Sequence, residues 1–335
     1  MTASTLLAAL VVVTVAVVGP LETLFDRALS LFGGASCAAG RVAIGGDIFC
    51  AGYMQQALLA GLCVGVVAPL VGTFLVHRRL AFIGDTLAHT AFAGVAVGLF
   101  LGASLDAPVS PYAAALVVAV LSALLVQAIA EYTDAYGDVA MAIVLSGGFA
   151  LGTVLMSLDS GGLSVGVTDY LFGSLSLVTR ANVGLLVVLT LIVVAAVAIA
   201  YRPLVYLTFD ETAARVAGVN VRRHERLLVV LTALVVVAAM QIMGVILVAG
   251  MLVVPVAAAA QVATSFRQSL ALSVVAAELA VVSGIVVSYY FGLQESGIIV
   301  LVAIGVFAVA AAAAWIGVPE RATSLLRQVD DRRVR

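Results

Sequence analysis

Ten apolar runs divide this chain, and each is long enough, at about 17–25 residues, to cross a lipid bilayer as a helix. Hydrophobic residues make up 64% of the chain and charged residues 10%, whereas a soluble domain carries about 25% charged residues. The runs predict an all-α protein, a polytopic transmembrane helical bundle of about nine or ten spans. They lie at about 3–19, 53–76, 80–102, 111–130, 139–157, 182–200, 227–243, 244–263, 270–290 and 297–316. No polar loop separates the two runs at Gly244, so nine spans or a re-entrant pair would also fit.

The sixteen basic residues, all of them arginine, predict the orientation of the bundle. Arginine concentrates in the cytoplasmic loops of membrane proteins. With the N-terminus inside, thirteen arginines fall on the cytoplasmic side, and only Arg27, Arg41 and Arg180 fall outside. We therefore expect a multi-pass protein of the plasma membrane with both termini in the cytoplasm. No basic patch with interleaved aromatic residues indicates a nucleic-acid partner.

The runs also suggest a division into three regions. Residues 1–52 hold an extra N-terminal span and an extracellular segment with two cysteines, residues 53–316 form the main transmembrane domain, and residues 317–335 form an Arg-rich cytoplasmic tail, either disordered or lying at the surface. An oxidising outer compartment permits a disulfide between Cys37 and Cys50. Such a bridge would contribute about 3 kcal/mol in the chain-entropy model. Two free thiols, able to bind metal, are the alternative.

An aspartate and a histidine lie four residues apart near the start of the third run. Asp85 and His89 therefore share one helical face, with Cβ atoms about 5–6 Å apart. Ionisable groups at membrane depth are costly and usually handle a substrate, an ion or a proton. An imidazole nitrogen and a carboxylate oxygen suit a divalent ion such as zinc or manganese. The alternative is structural, with Asp85 capping a helix at Thr86 and His89 packed and hydrogen-bonded in the core.

A lone glutamate, Glu278, lies in the middle of the run 270–290. At that depth it must be protonated, paired with another helix or facing a water-filled path. A candidate role in the transport pathway and a structural hydrogen bond both remain open for this residue.

The segment 201–226 is the longest predicted cytoplasmic loop. Pro203 is expected to end the preceding helix. Asp210 can cap a short helix that runs through Ala217, and Gly218 can end it. Such a helix across the cytoplasmic mouth could dock on a soluble partner, and a solvated amphipathic connector is the alternative.

One stretch begins Phe-Leu-Val-His-Arg-Arg-Leu-Ala-Phe-Ile-Gly-Asp-Thr-Leu-Ala-His at Phe74. It resembles the signature of metal-ion ABC transporter permeases of the zinc and manganese uptake type. Three more follow in the expected order, and the resemblance covers about residues 53–316. They are Tyr-Leu-Phe-Gly-Ser-Leu from Tyr170, the Phe-Asp…Ala…Gly loop from Phe209, and Gly-Val-Ile-Leu-Val-Ala-Gly-Met-Leu-Val-Val-Pro from Gly244.

The resemblance implies an importer with the architecture of vitamin-B12 permeases, in which two copies of this chain bind two cytoplasmic ABC ATPase subunits. It further implies that an extracellular metal-binding protein delivers the ion, with Asp85 and His89 on the ion path. The helix within 209–220 matches the coupling helix that docks on the ATPase, and this assigns coupling roles to Asp210, Glu211, Ala214 and Gly218.

We therefore expect the permease subunit of an ATP-driven importer for divalent metal ions, with zinc favoured and manganese or iron as alternatives. The chain has no Gly-rich Lys-Ser/Thr phosphate loop, so ATP is expected on the partner subunit and no cofactor on this chain. A siderophore or cobalamin permease would not need an Asp/His pair on one helix. A secondary cation transporter would show inverted repeats, and none is found. An intramembrane hydrolase is disfavoured because no His-Glu-x-x-His motif is present.

Overall fold

The computed structural model of the chain describes residues 29–42, 47–105, 111–133, 136–158, 173 and 180–333. Helices account for nearly all of these residues. They are α1 (29–42), α2 (Gly52–His77), α3 (Phe82–Leu105), α4 (Pro111–Tyr132), α5 (Gly137–Leu158), α6 (Arg180–Phe209), α7 (Glu211–Val216), α8 (Val221–Met243), α9 (Val245–Val262), α10 (Phe266–Phe291) and α11 (Glu295–Arg333). A single 3-10 turn, Ile48–Cys50, precedes α2.

Eight of the described helices, α2 to α6 and α9 to α11, are long and apolar enough to cross a membrane. The predicted span 227–243 falls within α8, which opens with a group of arginines. The predicted span 3–19 lies outside the described residues. Near Gly244 the chain forms two helices, because α8 ends at Met243 and α9 begins at Val245. Gly244 joins them with a φ of +80°, a conformation that favours glycine. The all-α transmembrane bundle is thus confirmed.

Helix α2 lies at the centre of the bundle, with α6, α8, α9 and α10 as its neighbours. Its buried face consists of small and apolar residues, which let neighbouring backbones approach closely. Gly72 shows the effect most clearly, since a Cβ atom there would overlap the carbonyl oxygen of Leu252 in α9.

The contacts at the helix ends form two separate sets. At one end, the His77 ring lies 5.2 Å from Phe266 and 6.3 Å from Phe209 between ring centroids, which brings together α2, α6 and α10. Arg78 also donates a hydrogen bond of 3.0 Å to Glu225 of α8 at this end. At the other end, Gln294 donates a 2.9 Å hydrogen bond to the carbonyl oxygen of Gly173.

One sequence-based expectation about a helix end is wrong. Pro203 does not end the helix, because α6 continues past it to Phe209. A proline removes only its own N–H donor, and membrane helices tolerate this loss because the surrounding helices constrain the backbone. The backbone of α11 is helical through Arg333, beyond the predicted end of the last span at about residue 316.

Candidate metal site and docking helix

Asp85 and His89 form a close pair on the first two turns of α3. His89 Nδ1 lies 3.4 Å from a carboxylate oxygen of Asp85 and 3.2 Å from the Asp85 carbonyl oxygen. Asp85 is the fourth residue of the helix and lies inside its first turn, so it does not cap the helix at Thr86 as the structural alternative required. The predicted spacing therefore places both side chains on one face, in contact.

Helix α5 forms one wall beside this pair. The ring of Phe149 lies 5.4 Å from the His89 ring between centroids. One turn closer to the helix start, Thr86 donates a 3.3 Å hydrogen bond to the carbonyl oxygen of Met141. Gly148 packs directly on Thr90, where a Cβ atom would overlap the threonine side chain. These contacts hold α3 against α5 and fix the direction in which the Asp85–His89 face points.

The pair is half-buried and remains open on one side. The Asp85 side chain is 37% exposed and the His89 side chain 22% exposed. If His89 donates its Nδ1 hydrogen to the Asp85 carbonyl oxygen, its Nε2 atom keeps a free lone pair for a metal ion. Within the part of the chain that the structure describes, no group of three or more His, Cys, Asp or Glu side chains comes together. One copy of the chain thus supplies two donors and leaves other positions to water or to another chain.

The position of Asp85 also carries a structural benefit. A carboxylate in the first turn of a helix interacts favourably with the positive end of the helix dipole, typically by about 0.3–1 kcal/mol. Asp138 also lies in a first turn, as the second residue of α5, and has no histidine one turn later. Substituting each aspartate in turn therefore distinguishes the effect of the helix dipole from the effect of the acid–imidazole pair.

The short helix α7 has a defined cap at each end. The Asp210 side chain accepts a 2.8 Å hydrogen bond from the backbone N–H of Ala213. At the other end, Gly218 has a φ of +80°, and the backbone N–H of Val219 bonds to the carbonyl oxygen of Ala214 at 3.0 Å. This is the pattern of a Schellman C-cap, in which glycine adopts the left-handed conformation. Glu211 pairs with Arg215 on the exposed face of the helix.

A small apolar cluster anchors α7 to the bundle. Ala214 is fully buried between Leu207 at the end of α6 and Val221 at the start of α8. The remaining residues of α7 are exposed, including Val216 at 86%. The sequence analysis predicted the caps but did not find this anchor or the link between Arg78 and Glu225. The apolar spacing of residues 207, 214 and 221, at intervals of seven, was the available signal.

The structure does not bring Glu278 together with Asp85 and His89. The main neighbours of its helix α10 are α2, α9 and α11, whereas α3 packs mainly against α4, α5, α8 and α9. Both carboxylate oxygens of Glu278 are buried, and neither has a hydrogen-bond partner among the described residues. They lie against Gly65 of α2, where a Cβ atom would approach Oε1 to 2.8 Å. The structural hydrogen bond considered for Glu278 is therefore not formed with any described residue.

Cys37 and Cys50 are joined by a disulfide, with their Cα atoms 4.5 Å apart. The bridge ties α1 to the turn that precedes α2. Gln55 strengthens the same junction through hydrogen bonds of 3.2 Å to the Gly33 carbonyl oxygen and 3.0 Å to the Phe49 carbonyl oxygen. Cys63 is a free thiol buried in α2.

The structure is a polytopic bundle of membrane-length helices with one central buried helix and a capped helix exposed between two of the others. The profile of the ABC 3 transport family matches residues 51–314, most of the chain. The chain belongs to this family, and the metal-ion ABC permease family indicated by the sequence motifs is thereby confirmed.

Individual relatives agree with this assignment. The chain is 32% identical over 258 residues to the manganese transport system membrane protein MntC of Halalkalibacterium halodurans, covering 77% of this chain and 86% of that protein. It is 27% identical over 235 residues to the high-affinity zinc uptake system membrane protein ZnuB of Haemophilus influenzae, covering 70% and 87%. Among solved structures, PsaBC from Streptococcus pneumoniae in complex with Fab is similar with a TM-score of 0.71 and 29% identity, covering 82% of this chain and 94% of that one.

Proposed function

We propose that this chain is the membrane subunit of an ATP-driven importer for divalent metal ions and that Asp85 and His89 are transient ligands on the ion path. The observation that carries the proposal is the 3.4 Å contact between these side chains on the open face of α3. A site with two protein donors binds an ion reversibly, because its remaining positions exchange with water or with ligands from a second chain. Two copies in a homodimer would offer two carboxylates and two imidazoles.

The proposed mechanism is alternating access at the interface of this homodimer. Cytoplasmic ATPase subunits close on ATP, and α7 passes that movement to the spans through its contacts with Leu207 and Val221. In this assignment Asp210 and Gly218 hold the shape of the coupling helix, Ala214 anchors it, and Glu211 lies on its exposed face. An extracellular metal-binding protein delivers the ion, so the site in the membrane needs little affinity of its own.

The substrate of the proposal is Zn²⁺ or Mn²⁺. Carboxylate and imidazole donors accept both ions, so selectivity depends on the geometry of the site and on the protein that delivers the ion. The sequence-based preference for zinc stays a prediction. Relatives of this chain carry the names of both manganese and zinc systems.

Uptake of radioactive zinc and manganese tests the function and the site together. The assay uses proteoliposomes that contain this chain and its ATPase partner, with the delivering protein outside and ATP inside. We expect the native complex to accumulate at least one ion, and Asp85→Asn and His89→Gln to lower uptake on the order of tenfold or more. Asp138→Asn is the matched control, because it removes a first-turn carboxylate without an adjacent histidine.

The outcomes separate the class of transporter from the site. Uptake that persists at native rates in both Asp85→Asn and His89→Gln would remove the site but leave the permease assignment intact. Failure of the native complex to move either ion, while it moves a bulky metal chelate, would favour the siderophore type of permease. Equal losses in Asp85→Asn and Asp138→Asn would assign the effect to the helix dipole.

A further inference from the structure

A groove of about 600 Å³ opens between α6 and α8. Its walls are apolar along most of their length, and Ile199 on the rim is 84% exposed. The first turns of α8 form one end of the groove, and three basic residues lie there. The lining residues are Ala196, Ile199, Ala200, Pro203, Leu227 and Val230, together with Arg223, His224 and Arg226.

No ion pair with a described acidic side chain neutralises the positive charge at this end. Neither Arg223 nor Arg226 forms an ion pair with any described residue. The acid in the same stretch, Glu225, binds Arg78 instead at 3.0 Å. His224 Nδ1 contacts the backbone carbonyl oxygen of Asn220 at 2.9 Å, so only its Nε2 atom is free to face a ligand.

An apolar channel with a cationic end matches one kind of ligand, an amphiphile with a negatively charged head. On the orientation proposed above, the basic end lies at the cytoplasmic surface of the bilayer, where anionic phospholipids are present and attract arginine side chains. A soluble phosphate would leave the apolar walls uncovered. An acidic segment of the ATPase could satisfy the arginines but would leave the apolar walls of the groove uncovered.

We propose that this groove binds an anionic phospholipid of the cytoplasmic leaflet. The phosphate lies between Arg223 and Arg226, and an acyl chain follows the apolar wall past Ile199 and Val230. The bound lipid would lie beside Val221, which packs on Ala214 of α7. The site therefore adjoins the helix that the proposed function assigns to coupling.

The chain contains a single tryptophan, Trp315, which makes a fluorescence test specific. In a Trp315→Phe background, Ile199→Trp places a reporter on the rim of the groove. Leu191→Trp places a control reporter eight residues earlier on α6, 65% exposed and outside the groove. The full complex, with every tryptophan of the ATPase subunits replaced by phenylalanine, is reconstituted in vesicles with equal mole fractions of acyl-brominated phosphatidylglycerol or acyl-brominated phosphatidylcholine. Bromine quenches a tryptophan that touches the labelled chain.

We expect the residue-199 reporter to favour phosphatidylglycerol on the order of tenfold in apparent affinity, since each arginine near a membrane surface adds to the attraction. The control reporter should not distinguish the two lipids. Arg223→Gln combined with Arg226→Gln should abolish the preference, whereas Arg222→Gln, an exposed neighbour outside the groove, should keep it.

Equal quenching by the two lipids at residue 199 would overturn the proposal. A preference that survives the Arg223→Gln and Arg226→Gln changes would also overturn it. Loss of the preference when the ATPase is present, but not in its absence, would assign the arginines to the ATPase and reject a lipid in the complex. None of these measurements depends on metal uptake, so they test the lipid site independently of the proposed function.

Discussion

At the scale of the residue, Glu278 poses the sharpest physical question. Its two carboxylate oxygens are buried at membrane depth, with no hydrogen-bond partner among the described residues. An ionised carboxylate without a partner costs several kcal/mol in an apolar environment. A proton, a cation or a change of conformation must therefore compensate for the charge. Glu278 could act on the transport pathway, or it could be a packed neutral side chain. These two roles predict different effects of one substitution.

Glu278→Gln tests that choice. The amide has the same shape as the carboxylic acid, so assembly with the ATPase should survive in either case. If Glu278 handles an ion or a proton on the pathway, ATP-driven metal uptake should fall several-fold, because glutamine cannot exchange a proton at this site. The measurement is the initial uptake rate per assembled complex. Native uptake in Glu278→Gln would contradict the pathway role and leave packing against Gly65 as its explanation.

Gly72 tests the close contact at the centre of the bundle. Gly72→Ala should destabilise the fold by about 1–3 kcal/mol, because the added Cβ meets backbone atoms of Leu252 that cannot rotate away. Gly52→Ala on the same helix is the control, since nothing lies within 4 Å of its Cβ position. Thermal unfolding in detergent, followed by size-exclusion chromatography, measures both. Equal stability of the two variants would contradict the observed packing of α2 on α9.

Among the helices, α7 has only six residues, and its caps and its anchor keep its shape and position. Gly218→Ala should strain the left-handed C-cap by about 1–2 kcal/mol. We expect it to uncouple ATP hydrolysis from metal uptake, because α7 would no longer keep one position. Gly292→Ala is a matched control, since Gly292 has a φ of +62° with nothing within 4 Å of its Cβ position, at the turn after α10. The measurement is the number of ions taken up per ATP hydrolysed.

Uncoupling by Gly292→Ala to the same degree would show that backbone strain anywhere in the bundle, and not the shape of α7, causes the effect. Full coupling in Gly218→Ala would count against a docking role for α7.

The helices differ in how far the sequence alone predicts them. Hydropathy located α2 to α5, α9 and α10 within a few residues at each end, because the bilayer sets the length of an apolar helix. Side-chain chemistry predicted α7, since Asp210 and Gly218 mark its two ends. The continuation of α6 beyond Pro203 could not be predicted, because neighbouring helices and not the local sequence support that last segment. The break at Gly244 agrees with the predicted boundary between the runs 227–243 and 244–263, although no polar loop marks it.

The candidate site, too, can be predicted only in part from the sequence. A spacing of four predicts that Asp85 and His89 share a face, and they do. The sequence does not say whether that face is open, because the answer depends on α5 and Phe149, which come sixty residues later in the chain. For Glu278, the sequence shows an acid in a span but not the glycine in α2 against which it packs.

For the whole molecule, alternating access requires the two sets of helix ends to lie on opposite sides of the membrane. Val216 of α7 and Leu293 after α10 are both well exposed and belong to different sets. In intact cells, a membrane-impermeant maleimide should label Leu293→Cys directly and label Val216→Cys only after permeabilisation. The native chain is the low-background control, because Cys37 and Cys50 are bonded and Cys63 is buried. The opposite pattern would reverse the orientation predicted from arginine, and equal labelling would contradict the alternating path.

In the proposed function, Asp85 and His89 on α3 coordinate the transported ion. Mn²⁺ can report on the site for either substrate, because Mn²⁺ and Zn²⁺ both accept carboxylate and imidazole donors. Pulsed electron paramagnetic resonance of bound Mn²⁺ detects a directly coordinated imidazole nitrogen. In the purified complex of this chain with its ATPase, without the delivering protein, the account predicts a nitrogen coupling that His89→Gln abolishes. A coupling of unchanged strength in His89→Gln would contradict it.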